Sequence, residues 1–244
     1  AQRYMPNIRA EAPRRMDWRG FALAGPGVGA LISGLTLAGT DVVALWFAQA
    51  LIAAGCALLV LYIRHALRVP EPLLDLRLLK LPTFRTSVVG GGLFRLGTGA
   101  IPFLLPLMLQ VGFGLTPFQS GMITFSGALG ALLMKFAARP LLRRFGFRQV
   151  LTFNALICAA MLGLYALFTP ETPHIVIGLV LLAGGFFRSL QFTCLNASAF
   201  ADVDEKSMSG ATAMVAVAQQ LFLSTGVAMA AFILETLRAA GDSG

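Results

Sequence analysis

The chain has 244 residues, of which 57% are hydrophobic and 12% charged, with a mean hydropathy of +0.78 and a net charge of +8. Soluble domains are about 45–50% apolar and about 25% charged, so a soluble core could not hide this much apolar surface. The composition excludes an ordinary soluble domain and predicts an all-α integral membrane protein.

Seven stretches are long and apolar enough to cross a hydrocarbon layer of about 30 Å, which takes about 20 residues per helix. In chain order they are residues 18–39, 42–63, 86–111, 117–136, 149–169, 175–200 and 209–237. Most connections are short, so consecutive helices are expected to be antiparallel neighbours. The one long connection, 64–85, places leucines beside alternating charges, which suits either a short interfacial helix or a plain amphipathic linker.

Lys and Arg residues fall almost entirely on one side of this arrangement. Of the 19, 16 lie in the N-terminal segment or in the connections after the second, fourth and sixth helices, and only Arg238 lies on the other side. Under the positive-inside rule, the N-terminus and these connections are cytoplasmic. The positive charge is therefore a topology signal, and no nucleic acid partner is expected.

The residues that usually carry enzyme or metal chemistry are few and scattered. Cys56, Cys158 and Cys194 each lie inside an apolar run and are interpreted as small buried hydrophobic side chains. His65 and His174 fall in separate connections, so no metal-ligand spacing exists, and no phosphate-binding loop or dinucleotide motif is present. The sequence predicts no metal, no cofactor and no enzyme activity.

Two arginines remain inside the apolar segments. Arg95 lies nine residues past Thr86 and Arg188 lies 13 past Ile175, which is about 13 and 20 Å along their helices. An ionisable residue at such depth is costly, and it usually faces the interior of the bundle or a water-filled cavity. The alternative is a structural role, in which each arginine caps backbone carbonyls or closes an ion pair between helices.

A set of polar and aromatic residues shares the helix of Arg188. Gln191, Phe192 and Asn196 follow it at spacings of three, four and eight, which predicts one stripe on one helix face. Such a stripe suits the wall of a substrate cavity, so Arg95, Arg188, Gln191, Phe192 and Asn196 are the predicted cavity-lining residues.

The third segment is the one most expected to bend. Gly90, Gly91 and Gly92 precede Arg95, and Pro102 and Pro106 interrupt the same helix. A broken helix that carries a buried charge is typical of a transport path.

Acidic residues give no comparable signal. None lies in the middle of a span, and Glu235, near the outer end of the seventh segment, is interpreted as an interfacial acid. The chain therefore offers no proton carrier of its own.

Four stretches resemble the drug:proton antiporters of the major facilitator superfamily with 14 spanning helices, the EmrB/QacA type. Residues 70–84 (PEPLLDLRLLKLPTF) are similar to the segment after that family's two extra central helices. Residues 141–151 (LLRRFGFRQVL) resemble the basic cytoplasmic loop between the second and third helices of a half. Residues 187–203 and 208–228 resemble the fourth and fifth helices of the C-terminal half.

The resemblance implies a domain layout. Residues 1–17 would be a cytoplasmic segment, 18–63 the two extra central helices and 64–85 a cytoplasmic linker. Residues 86–244 would be a C-terminal bundle without its last helix, and the first six helices of the family would lie outside this chain.

Site roles follow from the same resemblance. The helices that carry Arg95 and Arg188 would line the central cavity. The basic loop would supply conformational or gating residues, which are Arg143, Arg144, Gly146 and Arg148. One departure is Arg143, which stands where the family's motif usually has an acid, so any gating ion pair must use another carboxylate.

The function that the resemblance implies is proton-coupled export of hydrophobic or amphipathic small molecules, or multidrug efflux, by alternating access in the bacterial inner membrane. Expected partners are the lipid bilayer, the small-molecule substrate, protons and the missing N-terminal half, while docking of a periplasmic adaptor is left open. Two alternatives remain: transport of an anionic metabolite paired by the buried arginines, and a truncated membrane protein that transports nothing.

Overall fold

The computed structural model describes residues 17–38, 44–70 and 72–241, and over these ranges the chain is helical without a strand. Six helices in these ranges are long and apolar enough to span a membrane. They are α1 (Trp18–Ala38), α2 (Leu45–Ala66), α3 (Pro82–Gly112), α4 (Pro117–Tyr165), α5 (His174–Ala199) and α6 (Met208–Gly241). The predicted cytoplasmic segment 1–17, apart from Asp17, lies outside the described residues.

The described ranges contain six spanning helices where the sequence predicted seven, because one helical run replaces the predicted fourth and fifth segments. Helix α4 has 49 residues. At 1.5 Å per residue it would extend about 73 Å if straight, more than twice the thickness of the hydrocarbon layer. It is not straight, because Gly146 has φ 71° and ψ 161°, a backbone conformation that glycine alone adopts readily.

Gly146 divides α4 into a first arm, residues 117–145, and a second arm, residues 147–165. Contacts with α5 give the direction of the first arm. Gly127 packs against Gly185, and further along both helices the Ser189 hydroxyl donates to the carbonyl oxygen of Ala131 at 3.4 Å. Because residue numbers increase in the same direction along both helices at these contacts, the first arm runs parallel to α5.

The second arm runs the other way. Near its start, Asn154 Nδ2 donates to Gln191 Oε1 at 2.7 Å, and at its end the Tyr165 hydroxyl lies against Gly184. As residue numbers increase along the second arm, the numbers of the residues that it contacts on α5 decrease, so this arm is antiparallel to α5. The two arms are therefore antiparallel to each other, and the chain reverses at Gly146. The predicted loop between these segments is corrected to a sharp glycine turn between two helical arms.

The linker between α2 and α3 is anchored to the bundle. The Tyr62 hydroxyl accepts a hydrogen bond from the Leu74 N–H at 2.6 Å and donates to the Leu74 carbonyl at 3.1 Å. A 3₁₀ helix, Leu76–Lys80, follows, with the Asp75 side chain accepting from the N–H of Arg77 at its start. The linker therefore contains a 3₁₀ helix of five residues, and the position of this helix at the membrane interface stays a prediction.

A polar clamp joins the start of α1 to the end of α2. The Asp17 carboxylate accepts from the Gly20 N–H at 2.8 Å and lies 3.0 Å from His65 Nε2. Burial alone would raise the pKa of the Asp17 carboxyl, but these hydrogen bonds and the His65 ring outweigh it and hold that pKa below its ordinary value of 3.8. The clamp places both helix ends on the same side, as an antiparallel pair requires.

Helix α3 is irregular, as its glycines and prolines predict. It changes to π-helical hydrogen bonding at Thr86–Gly90 and again at Met108–Gly112, and its α-helical part is interrupted at Ala100. Pro102 has no N–H to donate, which is one reason why regular hydrogen bonding stops there.

Glycines let α3 and α6 approach closely. A Cβ built on Gly99 would lie 2.9 Å from the carbonyl oxygen of Leu223, and one on Gly226 would collide with the backbone of Leu96. Such backbone contact is typical of helices packed through small residues in membranes. The crossing fixes α3, and with it Arg95, against α6.

Large apolar side chains cover much of the outer surface. Trp46 is 70% exposed and Phe136 is 79% exposed, and both lie on helices of membrane length. Exposing so many apolar side chains to water would be unfavourable, whereas contact with lipid is not. The chain is a multi-pass membrane protein.

Candidate functional site

Arg95 is buried where α3, α5 and α6 meet. Only 4% of the residue is exposed, and its Nη2 donates to Asn196 Oδ1 of α5 at 3.2 Å. Its guanidinium carbon lies 5.1 Å from the centre of the Phe192 ring, a cation–π distance. No carboxylate of the described residues pairs with it. Its charge is held by a neutral amide and an aromatic face.

Asn196 is the centre of this contact. Its Oδ1 also accepts from Gln219 Nε2 of α6 at 2.9 Å, so both lone pairs of the oxygen are used. One oxygen therefore ties α3, α5 and α6 together. Asn196 is itself exposed, so the network lies at an open edge of the described bundle.

Local packing sets the position of the guanidinium. A Cβ on Gly91 would lie 2.8 Å from Arg95 Nη1, so the arginine side chain folds back over a glycine one turn earlier on α3. Phe94 packs edge-on against Phe192 with ring centres 5.3 Å apart. The guanidinium thus lies in contact with Gly91, the Phe192 ring and Asn196.

The predicted stripe on α5 is divided between two faces. Phe192 and Asn196 meet Arg95, but Gln191 turns towards the second arm of α4. There it accepts from Asn154 Nδ2 and donates weakly to the carbonyl of Leu151 at 3.4 Å. At 100° per residue, positions 191 and 196 are about 140° apart, which explains the division.

Asn154 completes that second polar contact. It is 3% exposed, and its Nδ2 donates to the Phe187 carbonyl at 2.9 Å as well as to Gln191. Its Oδ1 has no hydrogen-bond partner among the described residues. A buried amide pair thus joins the second arm to α5.

Arg188 is half-buried on the same side of the bundle. It makes no hydrogen bond or ion pair with any residue in the described ranges. It lies one helical turn along α5 from Gly184, the glycine against which the Tyr165 hydroxyl packs. Arg188 therefore lies beside the second arm of α4, separate from the Arg95 network.

A cavity of about 580 Å³ lies between α3, the end of the second arm and α6. Its walls include Gly97, Leu104 and Met108 of α3, Leu162 and Tyr165 of the second arm, and Leu234 of α6. The described lining is apolar apart from the tyrosine hydroxyl. On α3 the cavity face is turned about 200° from Arg95, since Gly97 is two residues further along.

The four predicted gating residues, Arg143, Arg144, Gly146 and Arg148, are exposed around the glycine turn of α4. The three arginines form no ion pair with a described carboxylate. The Arg144 guanidinium carbon lies 5.5 Å from the centre of the Phe145 ring. Gly146 has a clear structural role as the turn itself, and the gating role of the four residues stays a prediction.

Three residues of these sites were not singled out from the sequence. Gln219 and Asn154 are amides inside apolar segments, a signal that a search for buried polar residues would have found. Tyr165 lies near the outer end of a predicted span, where tyrosine is common at a membrane interface, so its sequence position gives no signal.

Comparison with known proteins gives consistent results. A family model described as "Major Facilitator Superfamily" matches residues 18–229. Proteins named "Putative multidrug resistance protein MdtD" from Salmonella heidelberg and Salmonella paratyphi A are each 32% identical to the chain over 230 residues. The match covers 94% of this chain and 49% of each relative, so the chain spans about half the length of these relatives.

Proposed function

The chain belongs to the major facilitator superfamily, and we propose that it forms the C-terminal part of a secondary transporter that exports hydrophobic or amphipathic small molecules in exchange for protons. The family consists of transport proteins, so the chain is not an enzyme. The name of the MdtD relatives supports drug export as the direction and class of transport.

The observation that carries this proposal is the apolar cavity of about 580 Å³ between α3, the second arm of α4 and α6. Small-molecule sites are typically about 300–1,000 Å³ and largely apolar, with a few polar groups that fix orientation. The Tyr165 hydroxyl and the nearby Arg188 are such groups. An apolar substrate leaving the membrane would find a matching environment here.

The architecture supports alternating access between two halves. Residues 18–63 are the proposed extra central helices, 64–85 the linker and 86–244 the C-terminal bundle. Asn196 is exposed in the described bundle, and in this proposal an N-terminal half covers it and supplies the other wall of the path. The glycine turn at Gly146, with Arg143, Arg144 and Arg148 around it, would lie at the cytoplasmic face of a bacterial inner membrane.

Proton coupling is assigned to that other half. The sequence has no acidic residue in the middle of a span, so the proton-carrying carboxylate is proposed to lie outside this chain. Arg95 and Arg188 would respond to its protonation through their charge. The second candidate, transport of an anionic metabolite, is favoured by one observation: Arg188 has no hydrogen-bond or ion-pair partner in the described ranges.

Efflux from membrane vesicles tests the proposal. The complete gene product that contains this chain is expected to export neutral and charged fluorescent amphipathic dyes only while a proton gradient is present. A protonophore should abolish export, because antiport takes its energy from the gradient. Export that continues unchanged with the protonophore would contradict antiport.

Arginine variants in the same vesicles test the two site residues. Arg95→Ala and Arg188→Ala are each expected to lower export about tenfold or more, while Arg139→Ala, an exposed arginine outside both sites, serves as the control. Unchanged export in either variant would return that arginine to a purely structural role.

A further inference from the structure

We propose that Arg188 and the 580 Å³ cavity form one binding site, which takes an amphipathic molecule with its apolar body in the cavity and a carboxylate on the Arg188 guanidinium. The inference rests on the proposed function, because it names the substrate class of the same cavity. It also makes a different claim, that anionic molecules bind there in preference to neutral or cationic ones.

The second arm of α4 places Arg188 beside the cavity. Cys158, Leu162 and Tyr165 are spaced by four and three residues, so they share one face of this arm. Leu162 and Tyr165 line the cavity, and the electrostatic influence of Arg188 on Cys158 and Tyr165 is consistent with a position near this face. Arg188 is not one of the described lining residues, so the proposal places its guanidinium at the edge of the cavity, next to Tyr165.

The geometry of α5 independently indicates the same position for Arg188. The Tyr165 hydroxyl lies against Gly184, where no side chain would fit. Arg188 follows Gly184 by four residues and so occupies the same face of α5 one turn away, about 6 Å along it. A molecule in contact with Tyr165 is thus within reach of a long arginine side chain.

The charge balance decides which headgroup suits the site. Arg188 has no hydrogen-bond partner and no counter-ion in the described residues, and the described lining of the cavity has no charged group. Guanidinium donates up to five hydrogen bonds in a planar fork that matches the two oxygens of a carboxylate. A cationic head would instead meet an uncompensated positive charge.

Arg95 does not compete for this role. Its guanidinium is engaged by Asn196 and Phe192, and it faces away from the cavity around α3. The two arginines therefore have different roles in this proposal. Arg95 joins three helices, and Arg188 is available to bind a ligand.

Binding of three pyrene probes with one apolar body tests the inference: pyrenebutyrate, pyrenebutanol and pyrenebutyl-trimethylammonium. Fluorescence anisotropy is measured with the complete gene product in nanodiscs, after subtraction of binding to empty nanodiscs. The carboxylate is expected to bind about tenfold tighter than the alcohol, and the ammonium more weakly than either. Equal affinities in the unmodified protein would overturn the proposal and indicate that the rest of the protein already neutralises Arg188.

Two pairs of variants locate the binding. Arg188→Gln should abolish the preference for carboxylate, Arg188→Lys should retain part of it, and Arg139→Gln, at an exposed arginine, should leave it intact. Gly97→Leu should weaken the binding of all three probes because the new side chain fills the cavity. Gly121→Leu, at a glycine with open space around it, should leave their binding unchanged. A carboxylate preference that survives Arg188→Gln would overturn the assignment.

Binding and transport separate this inference from the proposed function. If pyrenebutyrate binds with the expected preference but vesicles do not export it against a gradient, the site stands and the export proposal fails. If vesicles export dyes with no preference for an anionic head in binding, export stands and this inference fails.

Discussion

At the residue scale, the main feature is the buried Arg95, which pairs with no carboxylate of the described residues. Moving an arginine out of water costs several kcal/mol unless other groups compensate. In this protein Asn196 supplies one hydrogen bond to Arg95 and Phe192 supplies a negative ring face. Because the Asn196 oxygen is shared with Gln219, its loss would leave two donors without an acceptor.

Asn196→Ala is therefore expected to lower the free energy of unfolding by about 1.5–3 kcal/mol, the range for a hydrogen bond to a charged group. Asn196→Asp should raise stability, because it places a carboxylate beside Arg95. Thr193→Ala is the control, since that hydroxyl is exposed and bonds within its own helix. Thermal or denaturant unfolding of the purified protein measures all three, and equal stability of Asn196→Ala and Thr193→Ala would refute the shared-acceptor interpretation.

At the element scale, α3 combines irregular backbone with close packing. Its π-helical segments and the break at Ala100 weaken the helix, while Gly99 and Gly226 bring it against the backbone of α6. A helix that cannot be regular is thus held in place by backbone contact with its neighbour. This arrangement gives Arg95 a fixed position on a locally adjustable helix.

Gly99→Ala tests the crossing. The new Cβ would lie 2.9 Å from the Leu223 carbonyl oxygen, so the helices must separate, at a cost of about 1–3 kcal/mol that outweighs the gain in helix propensity of about 1 kcal/mol. Gly121→Ala, which has nothing within 4 Å, should be neutral or stabilising. Unfolding measurements that rank the two variants in the opposite order would show that α3 and α6 are not tightly packed.

At the scale of the whole molecule, reversal at Gly146 decides how many times the chain crosses the bilayer. The six spanning helices of the described ranges, one of which is folded on itself, account for seven crossings, which agrees with the seven apolar segments in the sequence. The first arm runs parallel to α5 and the second runs antiparallel to it, so the helix contacts establish this reversal without reference to charge. The direction of the bundle across the membrane rests on the positive-inside rule alone.

Cysteine labelling of intact cells tests that direction. In a cysteine-free background, Glu171→Cys, in the exposed connection before α5, is expected to react with a membrane-impermeant maleimide from outside. Gln149→Cys, which is exposed near the glycine turn, should react only after permeabilisation. The reverse pattern would invert the proposed orientation.

The sequence by itself determined the membrane class, the apolar segments and the two arginines inside them, because segment length, composition and isolated charges are local properties. Only the tertiary structure decided that Arg95 is bound by Asn196, 101 residues away, while Arg188 pairs with no residue of the described ranges. It also turned Gln191 away from Asn196 and brought in Gln219, Asn154 and Tyr165. These outcomes depend on how each helix is rotated about its axis and registered against its neighbours, and packing between distant segments sets both.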